Sequence, residues 1–177
     1  MTGVMSAEGR FTELMKRHGR AVLGYLTRRT DPSQDAADLM AEVFVVAWRR
    51  LADVPGEEDQ ERAWLLGTAR GVLANHRRSA MRRGHLAARL RQHLQTQPDT
   101  VLDDTGSMVR SALDRLSDDD RELLTLIAWD DVTPSQAATI LGLSAATTRK
   151  RLERARARLR AMLSADEPAL LRSGTRD

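Results

Sequence analysis

The densest chemistry in the chain falls within residues 134–159. Arg149, Lys150, Arg151, Arg154, Arg156, Arg158 and Arg160 are crowded into one short stretch against the single acid Glu153. Guanidinium forks and an ammonium group bind phosphate oxygens and guanine edges, so this residue set suits recognition of a nucleic-acid duplex. Thr148, Leu152, Ala155, Leu159 and Met162 recur every three or four residues, an inward-facing helical stripe that leaves the cations on the other faces. A shorter apolar run precedes it, with Ala137, Ala138, Ile140 and Leu141. Gly142 breaks that run, as a residue free to adopt positive φ can at a sharp turn, and Ser144 follows as an N-cap. Two helices joined by a glycine turn, the second basic, make a helix-turn-helix, with Ala138 small where the helices cross. The competing reading is a basic, solvated helix in an ordinary bundle.

A second basic segment lies earlier. Residues 62–91 hold eight arginines and no acid, whereas residues 53–61 hold five acids and no base. The net charge of +3 hides this segregation, which is an electrostatic footprint for a polyanion. A helix predicted over about residues 61–82 carries Trp64, Leu65, Thr68, Val72 and Leu73 on one side. Arg62, Arg70, Asn75, His76, Arg77, Arg78, Arg82 and Arg83 lie on the rest. An indole among arginines suits single-stranded nucleic acid, whose exposed bases stack on flat side chains. Core packing is the other reading of Trp64.

Other chemistries lack their residues. With no cysteine there is neither disulfide nor thiolate metal site. His18, His76, His85 and His93 are far apart, so no metal and no cofactor is expected. The carboxylate cluster of Asp118, Asp119 and Asp120 follows Ser117 and reads as a capped helix start whose acids complement the helix dipole. Without a nucleophile or a histidine partner it supports no enzyme. The longest apolar run, residues 43–48, is far short of the ~20 residues that span a bilayer. With no signal peptide visible, the reading is a soluble, cytoplasmic chain.

The elements that position these residues read as all-α, since aromatics are only 3% and apolar residues 41% of 177 residues. Residues 1–9 look frayed. A first helix is expected over about 8–29 from Phe11, Leu14, Met15, His18, Val22, Tyr25 and Leu26. Ser33 is expected to cap a second, over about 33–52. That second helix has a wide apolar arc (Leu39, Val43, Val46; Met40, Phe44, Ala47, Leu51) and an acidic stripe of Asp35, Asp38 and Glu42. Residues 53–60 are expected to form an acidic loop turning at Pro55-Gly56. Leu86, Leu90 and Leu94 could mark a short helix before a linker at residues 95–107. Beyond it come a helix around Met108, Leu113 and Leu116, another over 118–129, and the helix-turn-helix. Residues 164–177 are too short to fold independently. The expected architecture is two small helical domains on a flexible linker, the C-terminal one a helix-turn-helix without a wing.

These residues together resemble the extracytoplasmic-function (ECF) group of bacterial RNA polymerase sigma factors. Asp38-Leu39 and Glu42-Val43-Phe44, then Trp48-Arg49, resemble the family's segment that docks on the clamp helices of the polymerase. Trp64-Leu65, Ala69-Arg70 and Arg77-Arg78 resemble the segment that melts and reads the −10 element. Ala138, Ile140-Leu141-Gly142, Thr147, Arg151-Leu152 and Arg154-Ala155-Arg156 resemble the motif that reads the −35 element. The departures are Ala37-Asp38 for an acidic pair, Ala41 for a glutamine, Gly71 for an asparagine, Asn75 for an aspartate, and Ala145-Ala146-Thr147-Thr148 for Val-Gly-Thr-Val; they bear on promoter sequence. The resemblance implies a region 2 domain over 8–83, a linker over 84–107 and a region 4 domain over 108–164.

It also implies function: binding core polymerase and directing promoter recognition, melting and initiation at a promoter subset. The −35 duplex would meet Thr147, Arg149, Lys150 and Arg154 with Arg151 and Arg156 on phosphate. The −10 strand would meet Arg62, Trp64, Arg70, Asn75, Arg77 and Arg78, with the acidic loop shaping a pocket for a flipped base. Core polymerase would dock on Asp38, Leu39, Glu42, Phe44 and Trp48. Implied partners are core polymerase, promoter DNA and an anti-sigma factor, the free protein being a monomer. The main rival is a stand-alone dimeric helix-turn-helix regulator.

Overall fold

The computed structural model describes residues 6–30, 35–91 and 107–173, and among them every regular element is helical. The chain divides into two compact units.

The first unit carries α1 (Ala7–Thr27), α2 (Asp35–Arg49) and α3 (Glu58–Arg91), which pack pairwise. Ser6 caps α1, its Oγ accepting from the Gly9 amide at 3.1 Å. The α2 helix stops at Arg49 and a 3-10 turn, Leu51–Asp53, follows it. The residues expected as its cap, around Ser33, lie outside the described ones. The core is built from Leu14, Val22, Tyr25 and Leu26 of α1, Leu39, Val43 and Phe44 of α2, and Leu65, Leu66, Val72 and Leu73 of α3. Each fully buried Val, Leu or Phe contributes about 1.5–3 kcal/mol relative to exposure. His18 and Glu61 are buried with them. Glu61 Oε2 accepts from Arg17 Nη1 at 2.8 Å and lies 3.1 Å from His18 Nε2, so the buried carboxylate is satisfied.

The α3 helix is longer than the sequence pattern suggests. It starts at Glu58, because Glu58, Asp59 and Glu61 form an acidic first turn that complements the dipole. Only a short connection around Pro55-Gly56 remains of the acidic loop, and Arg10 Nη2 holds it by donating to the Val54 carbonyl at 2.6 Å. At the other end α3 runs through Leu86 and Leu90 to Arg91, in a stretch of Ala, Arg and Leu that favours helix. Leu94 and residues 95–106 lie outside the described ones.

The second unit carries α4 (Ser107–Asp114), α5 (Asp118–Trp129), α7 (Ala145–Ser173) and most of α6 (Pro134–Leu141), with α7 packed on α4 and α5. Ser117 caps α5 as expected, accepting from the Asp120 amide at 3.3 Å. Arg121 anchors the start of α5 to the end of α4 by donating to the carbonyls of Leu113 (2.9 Å) and Asp114 (3.1 Å). The α6 helix opens with a reciprocal capping box. Thr133 Oγ1 accepts from the Gln136 amide at 3.2 Å, and Gln136 Oε1 accepts from the Thr133 amide at 2.9 Å. Pro134 occupies the first helical position, where a missing N–H costs nothing. The α7 helix continues past residue 164 to Ser173, so this stretch extends a helix instead of trailing from one.

Candidate nucleic-acid and polymerase interfaces

The helix-turn-helix is closed by backbone hydrogen bonds. Gly142 has φ +66°, the left-handed conformation that its lack of a Cβ allows. The Leu143 amide donates to the Ala138 carbonyl at 2.9 Å and the Gly142 amide to Thr139 at 3.3 Å, the bond pair of a Schellman ending. Ser144 then caps α7, its Oγ accepting from the Thr147 amide at 3.1 Å. The Thr147 hydroxyl lies 2.8 Å from the same Oγ, so this exposed threonine is partly committed to the cap.

Thr148, Leu152 and Ala155 are buried, which turns the cations outward. Arg149, Lys150, Arg154 and Arg156 are exposed and carry no ion pair among the described residues. They do not share one face. Thr147, Lys150, Arg151, Arg154 and Arg158 line a cleft of about 340 Å³ together with Ser117 and Asp120 at the start of α5. Arg149 and Arg156, seven residues apart, form a separate stripe. Arg151 differs from its neighbours. Its Nη1 donates to Asp119 Oδ2 at 3.0 Å and its Nε lies 3.7 Å from Asp120 Oδ1. Arg158 Nη1 donates to Asp120 Oδ2 at 2.7 Å. Asp119 and Asp120 are therefore partners of the basic helix, a role that their sequence pattern, a capped helix start, does not announce.

On α3 the six candidates fall on two stripes. Trp64, Asn75 and Arg78 align at helical spacing with Gly71 between them; Arg62, Arg70 and Arg77 align on another face. Arg77 Nη2 donates to the Arg29 carbonyl at 2.9 Å, which ties α3 to the end of α1. Arg78 Nη2 donates to Asn75 Oδ1. Trp64 is half-buried, with the Arg50 guanidinium 5.7 Å from its ring centroid, within cation–π range. Arg50 Nε in turn donates to Asp53 Oδ2 at 2.9 Å. A Cβ placed on Gly71 would meet nothing within 4 Å, so this stripe has an open step at its centre.

On α2, Asp38, Glu42 and Trp48 are exposed, but Leu39 and Phe44 are core residues at 2% and 5% exposure. Leu39 lies beneath the exposed side of α2, and Phe44, though buried, reaches the lining of a groove there. The face itself is an apolar groove of about 600 Å³ lined by Phe11, Met15 and Leu23 of α1 and Ala37, Met40, Ala41, Phe44, Val45 and Trp48 of α2. Phe11 stands edge-on to Phe44 (6.2 Å between centroids) and to Trp48 (5.1 Å), fixing the floor at one end. Met15, Leu23, Val45 and Trp48 are each about half exposed, unusual for large apolar side chains gathered in one place. In the sequence Phe11 and Met15 read as core, and Val45 does not stand out.

Among the described residues no cluster of three or more His, Cys, Asp or Glu could hold a metal ion, and no helix is long and apolar enough to cross a membrane.

Comparison with known proteins matches two stretches of the chain to family descriptions. Sigma-70 region 2 covers residues 14–83, and Sigma-70, region 4 covers residues 107–159. The RNA polymerase sigma factor CnrH of Cupriavidus metallidurans is 29% identical over 168 residues, spanning 88% of this chain and 87% of that protein. The ECF RNA polymerase sigma factor EcfG of Rhodopseudomonas palustris is 30% identical over 134 residues, spanning 74% and 72%. The solved structure of CnrH in complex with the cytosolic domain of CnrY matches with a TM-score of 0.59 and 31% identity, covering 88% of each chain. The region 2 match takes in Trp64 and most of the arginine-rich segment that a stand-alone dimeric regulator would leave unexplained, and the chain belongs to the ECF group of bacterial RNA polymerase sigma factors.

Proposed function

We propose the following division of labour for a chain that, as a sigma factor, binds core RNA polymerase and directs promoter recognition, melting and initiation. The α1–α2 groove, with Asp38 and Glu42 exposed beside it, takes the polymerase: apolar burial supplies affinity and the two acids orient a basic partner. Its exposed apolar side chains are the observation that carries this reading. The α3 stripe of Trp64, Asn75 and Arg78 receives the opened −10 strand, the indole and its neighbouring Arg50 offering a flat cationic platform for bases. The α7 face of Thr147, Lys150 and Arg154 reads the −35 duplex, with Arg149 and Arg156 on the flanking backbone. Docking supplies both surfaces to one DNA at high effective concentration, so neither small unit needs high affinity alone.

Residues 8–83 and 108–164 act as the two functional domains, joined through 84–107. No step calls for catalysis, a metal or a cofactor. The free chain is a monomer acting in the cytoplasm, where the polymerase and its promoters are. CnrH has been solved with the cytosolic domain of CnrY, and an anti-sigma factor is accordingly proposed as a third partner here. The test is retention of core polymerase by the immobilised full chain. Met15→Glu and Val45→Glu, both at exposed positions, should abolish retention without lowering the thermal transition. Undiminished retention by both variants would rule the groove out as the docking face.

A further inference from the structure

The cleft beside α7 contains a buried acid in the middle of a surface built for a polyanion. Asp120 is 5% exposed, yet it belongs to the same lining as Lys150 and Arg154. We infer that Asp120 is a positioning residue for −35 recognition, its carboxylate bridging Arg158 and Arg151 so that α7 presents a fixed pattern of donors to the duplex; this rests on the reading of α7 as the duplex-binding helix.

The geometry separates what the carboxylate holds from what it leaves. Oδ2 accepts from Arg158 Nη1 at 2.7 Å, and Oδ1 faces Arg151 Nε at 3.7 Å. A guanidinium carries five N–H donors in a rigid fork, so an arginine gripped along one edge keeps the other for a phosphate. Arg158 is still 59% exposed at its side chain, which leaves that second edge open to a ligand. An untethered arginine on a helix surface must freeze several torsions to bind; a tethered one has already lost them. The acid is anchored in turn. Its own amide donates to Ser117 Oγ, and the next residue, Arg121, is bonded to two carbonyls at the end of α4. The tether therefore runs from α4 through the start of α5 to α7. Asp119 belongs to the same arrangement but is 55% exposed at its side chain, so a phosphate can replace it on Arg151. Asp120 is too buried to be displaced. This also revises the roles on α7: Arg151 enters already engaged with two acids, and Arg158, left out of the sequence-based set, becomes a phosphate contact.

The test uses the full chain assembled with core polymerase and a promoter selected by the unaltered protein from random fragments. The readout is the ratio of initiation on that promoter to initiation on the same DNA with a scrambled −35 segment. Asp120→Asn should lower the ratio about five- to tenfold, while initiation on scrambled DNA stays level or rises because one negative charge has been removed. Arg158→Gln, a change at a side chain that is 59% exposed, should lower the ratio similarly and reduce the salt dependence of duplex binding by about one counterion. The double variant should lose little more than either alone, since both changes break one linkage.

If Asp120 only balances charge, Asp120→Asn raises initiation on both DNAs equally and the ratio holds, which overturns the inference. Should Asp120→Asn fail to fold, Arg158→Gln decides the matter, an unchanged ratio again overturning it. Lys150→Ala and Arg154→Ala separate the two levels. If they leave the ratio intact, the duplex-reading role of α7 fails; if they lower it while the Asp120 and Arg158 variants do not, the positioning role alone fails.

Discussion

Thr148 illustrates how a single residue can depart from its surroundings. It is fully buried in the α7 stripe, and its hydroxyl has no hydrogen-bond partner among the described residues. Burying an unpaired hydroxyl is costly, so Thr148→Val should raise stability by about 1 kcal/mol in denaturant unfolding. A loss of stability would mean that the hydroxyl is satisfied. Gly71 makes a complementary case on α3. It is exposed in mid-helix with open space where a Cβ would stand, so Gly71→Ala should stabilise by about 0.5–1 kcal/mol. On the proposed strand-binding stripe the added methyl should weaken promoter opening, read by permanganate reactivity, while −35 duplex binding stays the same. Weaker duplex binding would contradict the separation of the two surfaces.

The α6–α7 turn shows at the level of elements why parts of this fold are readable in advance. Gly142, Ser144 and the spacing of Thr148, Leu152 and Ala155 are local features, each acting within a few residues of its own position. All three do in the structure what their types suggest: positive φ, a cap and a buried stripe. Gly142→Ala should cost about 1–2 kcal/mol from left-handed strain alone, because nothing lies within 4 Å of the added Cβ. An unchanged unfolding midpoint would show that the turn can relax. What depends on partners distant in sequence was not legible. The pairing of Arg151 with Asp119 joins residues 32 apart, and no local pattern announces it. Leu39 and Phe44 stand in one stretch that resembles a docking motif, yet both are buried and only Phe44 lines the groove, a difference that position in the motif does not reveal. Likewise the groove draws its lining from both α1 and α2, and neither the apolar repeat of the one nor the wide apolar arc of the other announces a shared groove. Element ends are hard to place where helix-forming composition continues without periodicity, as at both ends of α3 and beyond residue 164 in α7.

For the whole molecule, three surfaces of different chemistry are distributed over one small chain: an apolar groove on the first unit, a mixed aromatic and basic stripe on α3, and a basic cleft on the second unit. On the proposed division of labour each meets a different partner, and initiation should need all three at once. As a sigma factor, the chain supplies promoter specificity to core polymerase. The most direct measurement is transcription by purified core polymerase, with and without the chain, from a pool of random DNA fragments. Initiation should occur only when the chain is added, from fragments sharing two short upstream sequences, one at the opened region and one further upstream. No binding to core polymerase, together with tight binding of palindromic duplex by the chain alone, would contradict this role.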